Sequence, residues 1–134
     1  MNNLESPNLE SAAEWFLRLN GFFTVQNFIV HPVKREESQQ RTDADVLGIR
    51  FPNRQEIVGG ISLDDHKDFR NAQRPIFVIA EVKSGPCSLN GPWTDPDAQN
   101  VTNVLRSFGE MSSAPFEKIS ERLYENRQIS IRRI

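Results

Sequence analysis

The chain has 134 residues, 37% hydrophobic and 25% charged, which is the composition of one soluble globular domain, residues 1–134, able to bury a real core. Its formal net charge of −2, from 16 basic and 18 acidic residues, gives no global positive field, so any binding of nucleic acid has to use a local patch. The single cysteine, Cys87, excludes an internal disulfide and a thiolate-only zinc site; no apolar run is long enough to cross a membrane, and Met1-Asn2-Asn3-Leu4-Glu5 lacks a signal-peptide pattern, so the expected compartment is cytoplasmic.

The first predicted element is a helix. Ser6 is placed to cap it, Pro7 suits the first helical position, and Asn20-Gly21 supplies the stop. Leu9, Ala12, Ala13, Phe16 and Leu17 recur at helical spacing and predict one buried face, with Glu10 at its rim and Glu14 further toward the polar side. Phe22 to Val30 has strand composition and ends at His31-Pro32. The polar stretch from Val33 to Thr42 reads as a loop, and a second strand follows from Ala44 to Phe51, with Asp43 and Asp45 at its opening.

Asn53 to Arg74 is the least legible part. Ile57-Val58 before Gly59-Gly60 fits a short strand, and Leu63 to Phe69 fits one or two helical turns; the whole is too long for an ordinary connection. Ile76 to Ala80 is apolar without interruption, bounded by Pro75 and Gly85-Pro86, and reads as a strand buried on both faces. A turn-rich segment then leads to a helix opening at Asp95-Pro96, carrying Val101, Val104, Leu105 and Phe108 inward, and stopping at Gly109. A third helix runs from near Pro115 to near Asn126 with Phe116, Ile119, Leu123 and Tyr124 inward, and residues 128–134 look like a closing strand; the chain stops almost inside it, so the expectation is either a trimmed domain or a sheet finished with a partner chain. This order predicts an α/β fold, a mixed sheet flanked by helices.

Glu81 and Lys83 follow the apolar strand at once. Two residues apart, they leave one face of the strand with about 6.6–7 Å between Cα atoms. An acid and a base so placed form either an ion pair or a catalytic site. With an acid on the preceding strand, the set becomes two carboxylates and an ammonium, which suits Mg²⁺ or Mn²⁺ and the hydrolysis of nucleic acid phosphodiesters.

Three segments together carry a resemblance. Leu9-Glu10-Ser11-Ala12-Ala13-Glu14-Trp15-Phe16-Leu17 with Asn20-Gly21-Phe22, then Thr42-Asp43-Ala44-Asp45-Val46-Leu47-Gly48, then Val78-Ile79-Ala80-Glu81-Val82-Lys83-Ser84-Gly85, resemble in order the PD-(D/E)xK, or restriction-endonuclease-like, nuclease superfamily. The resemblance covers about the first 90 residues. It implies an α/β sandwich with a central mixed four-stranded sheet flanked by helices, and Mg²⁺-dependent hydrolysis of DNA, or occasionally RNA. By matching position, Asp45 would be the metal-binding aspartate, Glu81 the second carboxylate, Lys83 the motif lysine and Glu10 an accessory ligand, with Glu14 as the fallback. The long insertion between Asp45 and Glu81 and the near-neutral charge depart from the pattern and leave the substrate open. Cutting both strands of a duplex would favour a two-fold homodimer.

Each of these residues has a plainer reading. Glu81 and Lys83 can be an ion pair at a strand end, Asp43 can take the place of Asp45, and Glu10 can be an ordinary helix-surface residue. His31 and His66 lack a second ligand at metal spacing, and Trp93 reads as a loop anchor. The expected alternatives to an active nuclease are an inactive nuclease-fold module for DNA binding or protein assembly, and a small interaction domain that pairs its last strand with a partner.

Overall fold

The computed structural model describes residues 8–31, 42–86, 88–109 and 115–126. They fall into two compact units, Met1–Phe28 with Ala44–Cys87, and Ile29–Asp43 with Ser88–Ile134. The expected loop from Val33 to Thr42, apart from Thr42, and the closing strand at 128–134 lie outside the described residues, as do Ser6, Pro7 and Cys87.

In the first unit, helix α1 spans Leu9–Leu19 and is capped by Asn8, whose side chain accepts a 3.2 Å hydrogen bond from Ser11 N–H. This corrects the expected start: Asn8 satisfies an orphan N–H of the first turn, which makes Leu9 the first helical residue. The stop is as expected, with Asn20 at the C-cap and Gly21 at φ 86°. The left-handed backbone of Gly21 is what favours glycine; a Cβ there would also displace the far end of the Arg54 side chain. The apolar face of α1 is narrower than its spacing predicts. Only Leu17 is buried, against Phe22 and Val46, while Phe16 stays exposed and turns toward the rings of His66 and Phe69.

Strands β1 (Phe23–Val30), β2 (Thr42–Arg50) and β5 (Ile76–Ala80) form a three-stranded antiparallel sheet in the order β1-β2-β5. Strands β3 (Glu56–Val58) and β4 (Ile61–Leu63) form a separate hairpin, and α2 spans Lys67–Arg70. Among the described residues the central sheet therefore has three strands and no parallel pair, where four in mixed orientation were expected. The chain between β2 and β5 makes a hairpin and one helical turn, not a crossover helix, so β5 returns antiparallel. Among the described residues β5 is an edge strand, and it is half-buried along its whole length, not buried on both faces. Alternation along β2 sends Val46, Gly48 and Arg50 to one face, where Ile76, Val78 and Ala80 lie opposite them. Gly48 permits the closest approach here: a Cβ would meet Val78 Cγ1 at 2.9 Å and the Phe22 ring at 3.3 Å.

In the second unit the described elements after Ser88 are helical. The short helix α3 (Gly91–Thr94) buries Trp93 to 5% exposure, the anchor role expected of it. The expected helix at Asp95-Pro96 is a 3-10 turn, Pro96–Ala98, in which Asp95 accepts from Asp97 N–H at 3.0 Å; α4 begins only at Asn100 and runs to Phe108. Gln99, at φ 55°, makes the break between them. Helix α5 spans Phe116–Asn126 and packs on α4, with Val101, Val104, Leu105 and Ile119 buried. Within that packing Thr102 Oγ1 donates to Ser120 Oγ at 2.8 Å, and Ser120 Oγ donates to the Glu117 carbonyl at 2.8 Å. The Tyr124 hydroxyl is buried without a well-formed hydrogen bond.

Candidate functional site

The β2–β5 ladder ends at Val46↔Ala80, so Asp45 directly precedes the last paired residue of β2 and Glu81 directly follows the last residue of β5. Asp45 Oδ2 accepts a 2.6 Å hydrogen bond from Val82 N–H, filling the place of a ladder partner where β5 has stopped. Lys83 Nζ lies 3.1 Å from Glu81 Oε1; the Glu81 side chain is 9% exposed and that of Lys83 27%. Three residues beyond the strand end, Lys83 brings its ammonium back onto Glu81.

Asp43 is exposed, whereas Asp45 is half-buried and engaged with the chain after β5. Glu10 lies in the first turn of α1. Val46, the residue on which Leu17 of α1 packs, leaves β2 on the face opposite Asp45. Among the described residues no group of three or more His, Cys, Asp or Glu side chains is close enough to hold a metal ion, so Glu10 does not complete a three-carboxylate set with Asp45 and Glu81. Glu14, the fallback, accepts a 2.9 Å hydrogen bond from Thr24 Oγ1 on β1. His66 caps α2, accepting from Asp68 N–H at 3.3 Å, and His31 offers its backbone carbonyl to Asn103 Nδ2 at 2.7 Å.

The most buried ionic group went unread in the sequence. Arg50 is 1% exposed. Its Nη2 meets Asp65 Oδ2 at 2.5 Å, its Nε donates to the Asn20 carbonyl at 2.9 Å, and its Nη1 donates to the Phe51 carbonyl at 3.4 Å. Asp65 also pairs with Arg54, which in turn pairs with Glu56 at the start of the hairpin. Asn20 completes the group: its Oδ1 accepts from His66 N–H at 2.6 Å and its Nδ2 donates to the Phe16 carbonyl at 2.7 Å. The readable signal was parity. Arg50 shares its face of β2 with Val46 and Gly48, and a charge on an inward face needs a partner.

Neither a family model, a curated protein nor a solved structure matches this chain. No described helix is long and apolar enough to cross a membrane.

Proposed function

We propose that this chain is a metal-dependent nuclease of the restriction-endonuclease-like kind, which hydrolyses DNA phosphodiester bonds and whose finer fold is that superfamily's sandwich. The observation that carries the reading is that Asp45 takes a 2.6 Å hydrogen bond from Val82 N–H, on the chain between Glu81 and Lys83, while Lys83 Nζ lies 3.1 Å from Glu81. The donors fit a hard cation: two carboxylates meet the usual protein share of a Mg²⁺ or Mn²⁺ shell, the remainder being water and substrate oxygen. Asp45 and Glu81 would hold the ion. A bound ion would supply Lewis acidity to the phosphodiester and acidify water in its shell.

The protein's own groups account for the rest of the proposal. Lys83 offers an ammonium beside the same carboxylate, where it offsets negative charge growing on phosphoryl oxygens and orients the attacking water. The Val82 N–H fixes the rotamer of Asp45, so that this carboxylate is held in place before any ligand arrives. Glu10 enters only as an accessory group, approaching with substrate or metal.

One observation favours a second reading, an inactive nuclease-fold module for DNA binding or protein assembly. Asp45 Oδ2 and Glu81 Oε1 already have partners in Val82 and Lys83, and no third ligand stands with them among the described residues.

Plasmid cleavage and Mn²⁺ calorimetry separate the two. Under the nuclease reading the wild-type chain nicks or linearises supercoiled DNA only with Mg²⁺ or Mn²⁺, and Lys83→Ala abolishes cleavage while Mn²⁺ still binds. A wild-type chain that neither binds Mn²⁺ nor cuts DNA leaves the inactive module as the account.

A further inference from the structure

The ion pair of Glu81 and Lys83 is unequal in depth. The Glu81 side chain is 9% exposed and that of Lys83 27%, with Nζ 3.1 Å from Oε1. A carboxylate that deep holds its charge only beside a compensating group. The ammonium lies nearer to water on a flexible four-carbon stem, so of the two it is the group that can leave. Asp45 differs, because its partner is the Val82 backbone N–H at 2.6 Å, which no rotamer change can withdraw. One carboxylate of the site is thus fixed by main chain and the other is satisfied by a movable cation.

That cation competes with any other. Lys83 repels a divalent ion drawn to Glu81, whether the ammonium is displaced or stays close by. Among the described residues no group of three His, Cys, Asp or Glu side chains stands together to outweigh the repulsion. A displaced ammonium in turn seeks an anion. Two carboxylates against one ammonium leave a single net negative charge, which repels a phosphodiester; with a divalent cation present the balance becomes a single positive charge, which attracts one. Cation and phosphodiester therefore favour each other's binding, and by linkage each tightens the other by the same factor.

We propose that Lys83 is a resident counterion that keeps free divalent cations from Glu81 until a phosphodiester takes over its ammonium. The proposal rests on the nuclease reading and adds to it a control on loading: the site is self-neutralised at rest and takes its cation together with substrate.

Calorimetric titration of Mn²⁺ into the full chain tests it, with and without dimethyl phosphate, sodium chloride matching the ionic strength. In wild type the diester is expected to tighten Mn²⁺ binding. Lys83→Met keeps the length and removes the charge; it is expected to bind Mn²⁺ about tenfold more tightly than wild type without the diester, and to gain less from adding it. Lys83→Arg, which keeps the charge, should stay near wild type. If Lys83→Met lacks the native circular dichroism, Lys83→Gln carries the comparison. A folded uncharged variant that binds Mn²⁺ no more tightly than wild type overturns the counterion role and leaves the nuclease reading standing, as does a diester effect equally large in both chains. Absence of Mn²⁺ binding in wild type and variants alike overturns both.

Discussion

The Asp45 carboxylate accepts a 2.6 Å hydrogen bond from the backbone N–H of Val82. Side chain here substitutes for a sheet partner at the point where β5 has stopped. This gives Asp45 a structural duty that is separable from any role at a metal.

Asp45→Asn keeps an acceptor oxygen for Val82 and removes the charge, whereas Asp45→Ala removes both. Hydrogen bonds to charged groups contribute about 1.5–3 kcal/mol. Asp45→Ala is therefore expected to lose about that much in urea unfolding, and Asp45→Asn clearly less. If the nuclease reading holds, both variants lose Mn²⁺ affinity equally in calorimetry, so metal binding and stability move apart in Asp45→Asn. Equal stability losses in the two variants would count against the structural duty.

Arg50 and Asp65 offer a sharper case, since their side chains are 2% and 7% exposed. Removing one member of a buried pair strands the other, at a cost of about 3–5 kcal/mol. Asp65→Ala strands buried Arg50 and is expected near the upper end, whereas Arg50→Ala leaves Asp65 paired with Arg54 and is expected toward the lower end, its cost including the donors lost to the Asn20 and Phe51 carbonyls. Arg54→Ala is expected to cost less, since Asp65 keeps Arg50 and Arg54 is partly exposed. A double-mutant cycle between Arg50 and Asp65 in urea should give a coupling energy of similar sign and size to the single losses. Additive single losses would show that the pair is not coupled.

Much of this was legible in residue order, and the exceptions share a cause. Ile76 to Ala80 read correctly as a strand because an apolar run between Pro75 and Gly85 is a local signal. Its edge position was not legible, since strand order depends on what the intervening chain does. Gly59-Gly60 marked a turn, but strands of three residues are too short to show alternation, so only half the hairpin was read. Asp65 lies 15 residues from Arg50, and nothing local announces that pairing. At the site, Glu81 and Lys83 were close in sequence and are close in space, while the link of Asp45 to Val82 between them comes from the pairing of β2 with β5, which sequence does not announce. Glu10 depended on how a helix crosses the sheet, which periodicity does not encode.

Gly48 is a packing requirement that can be measured directly. An added Cβ meets Val78 Cγ1 at 2.9 Å and Phe22 at 3.3 Å, on the face where the core cluster forms. Overpacking of this kind costs about 1–3 kcal/mol. Gly48→Ala is expected to lower the urea midpoint with the slope unchanged, and Gly48→Ala combined with Val78→Ala to recover part of the loss. A neutral Gly48→Ala would mean that the contact relaxes freely.

The second unit carries two titrations of opposite kind. Burial raises the pKa of the Tyr124 hydroxyl, Asp95 adds to the rise, and a backbone group of Val101 offsets it only in part. The folded state then holds this proton more tightly than the unfolded chain, so stability is expected to fall as pH rises above about 10, the unfolded tyrosine value. Glu117 runs the other way. Its own backbone N–H, then Arg106 at 2.6 Å, lower its pKa, so its contribution is present above the unfolded carboxylate range and is lost as pH falls through the folded value. Because Glu117 is exposed, that acid limb should be shallow and weaken with salt. Melting temperature against pH checks both. Tyr124→Phe removes a buried hydroxyl that lacks a well-formed partner, so it should flatten the alkaline limb without loss of stability at neutral pH. An alkaline limb that persists unchanged in Tyr124→Phe would assign it to another group.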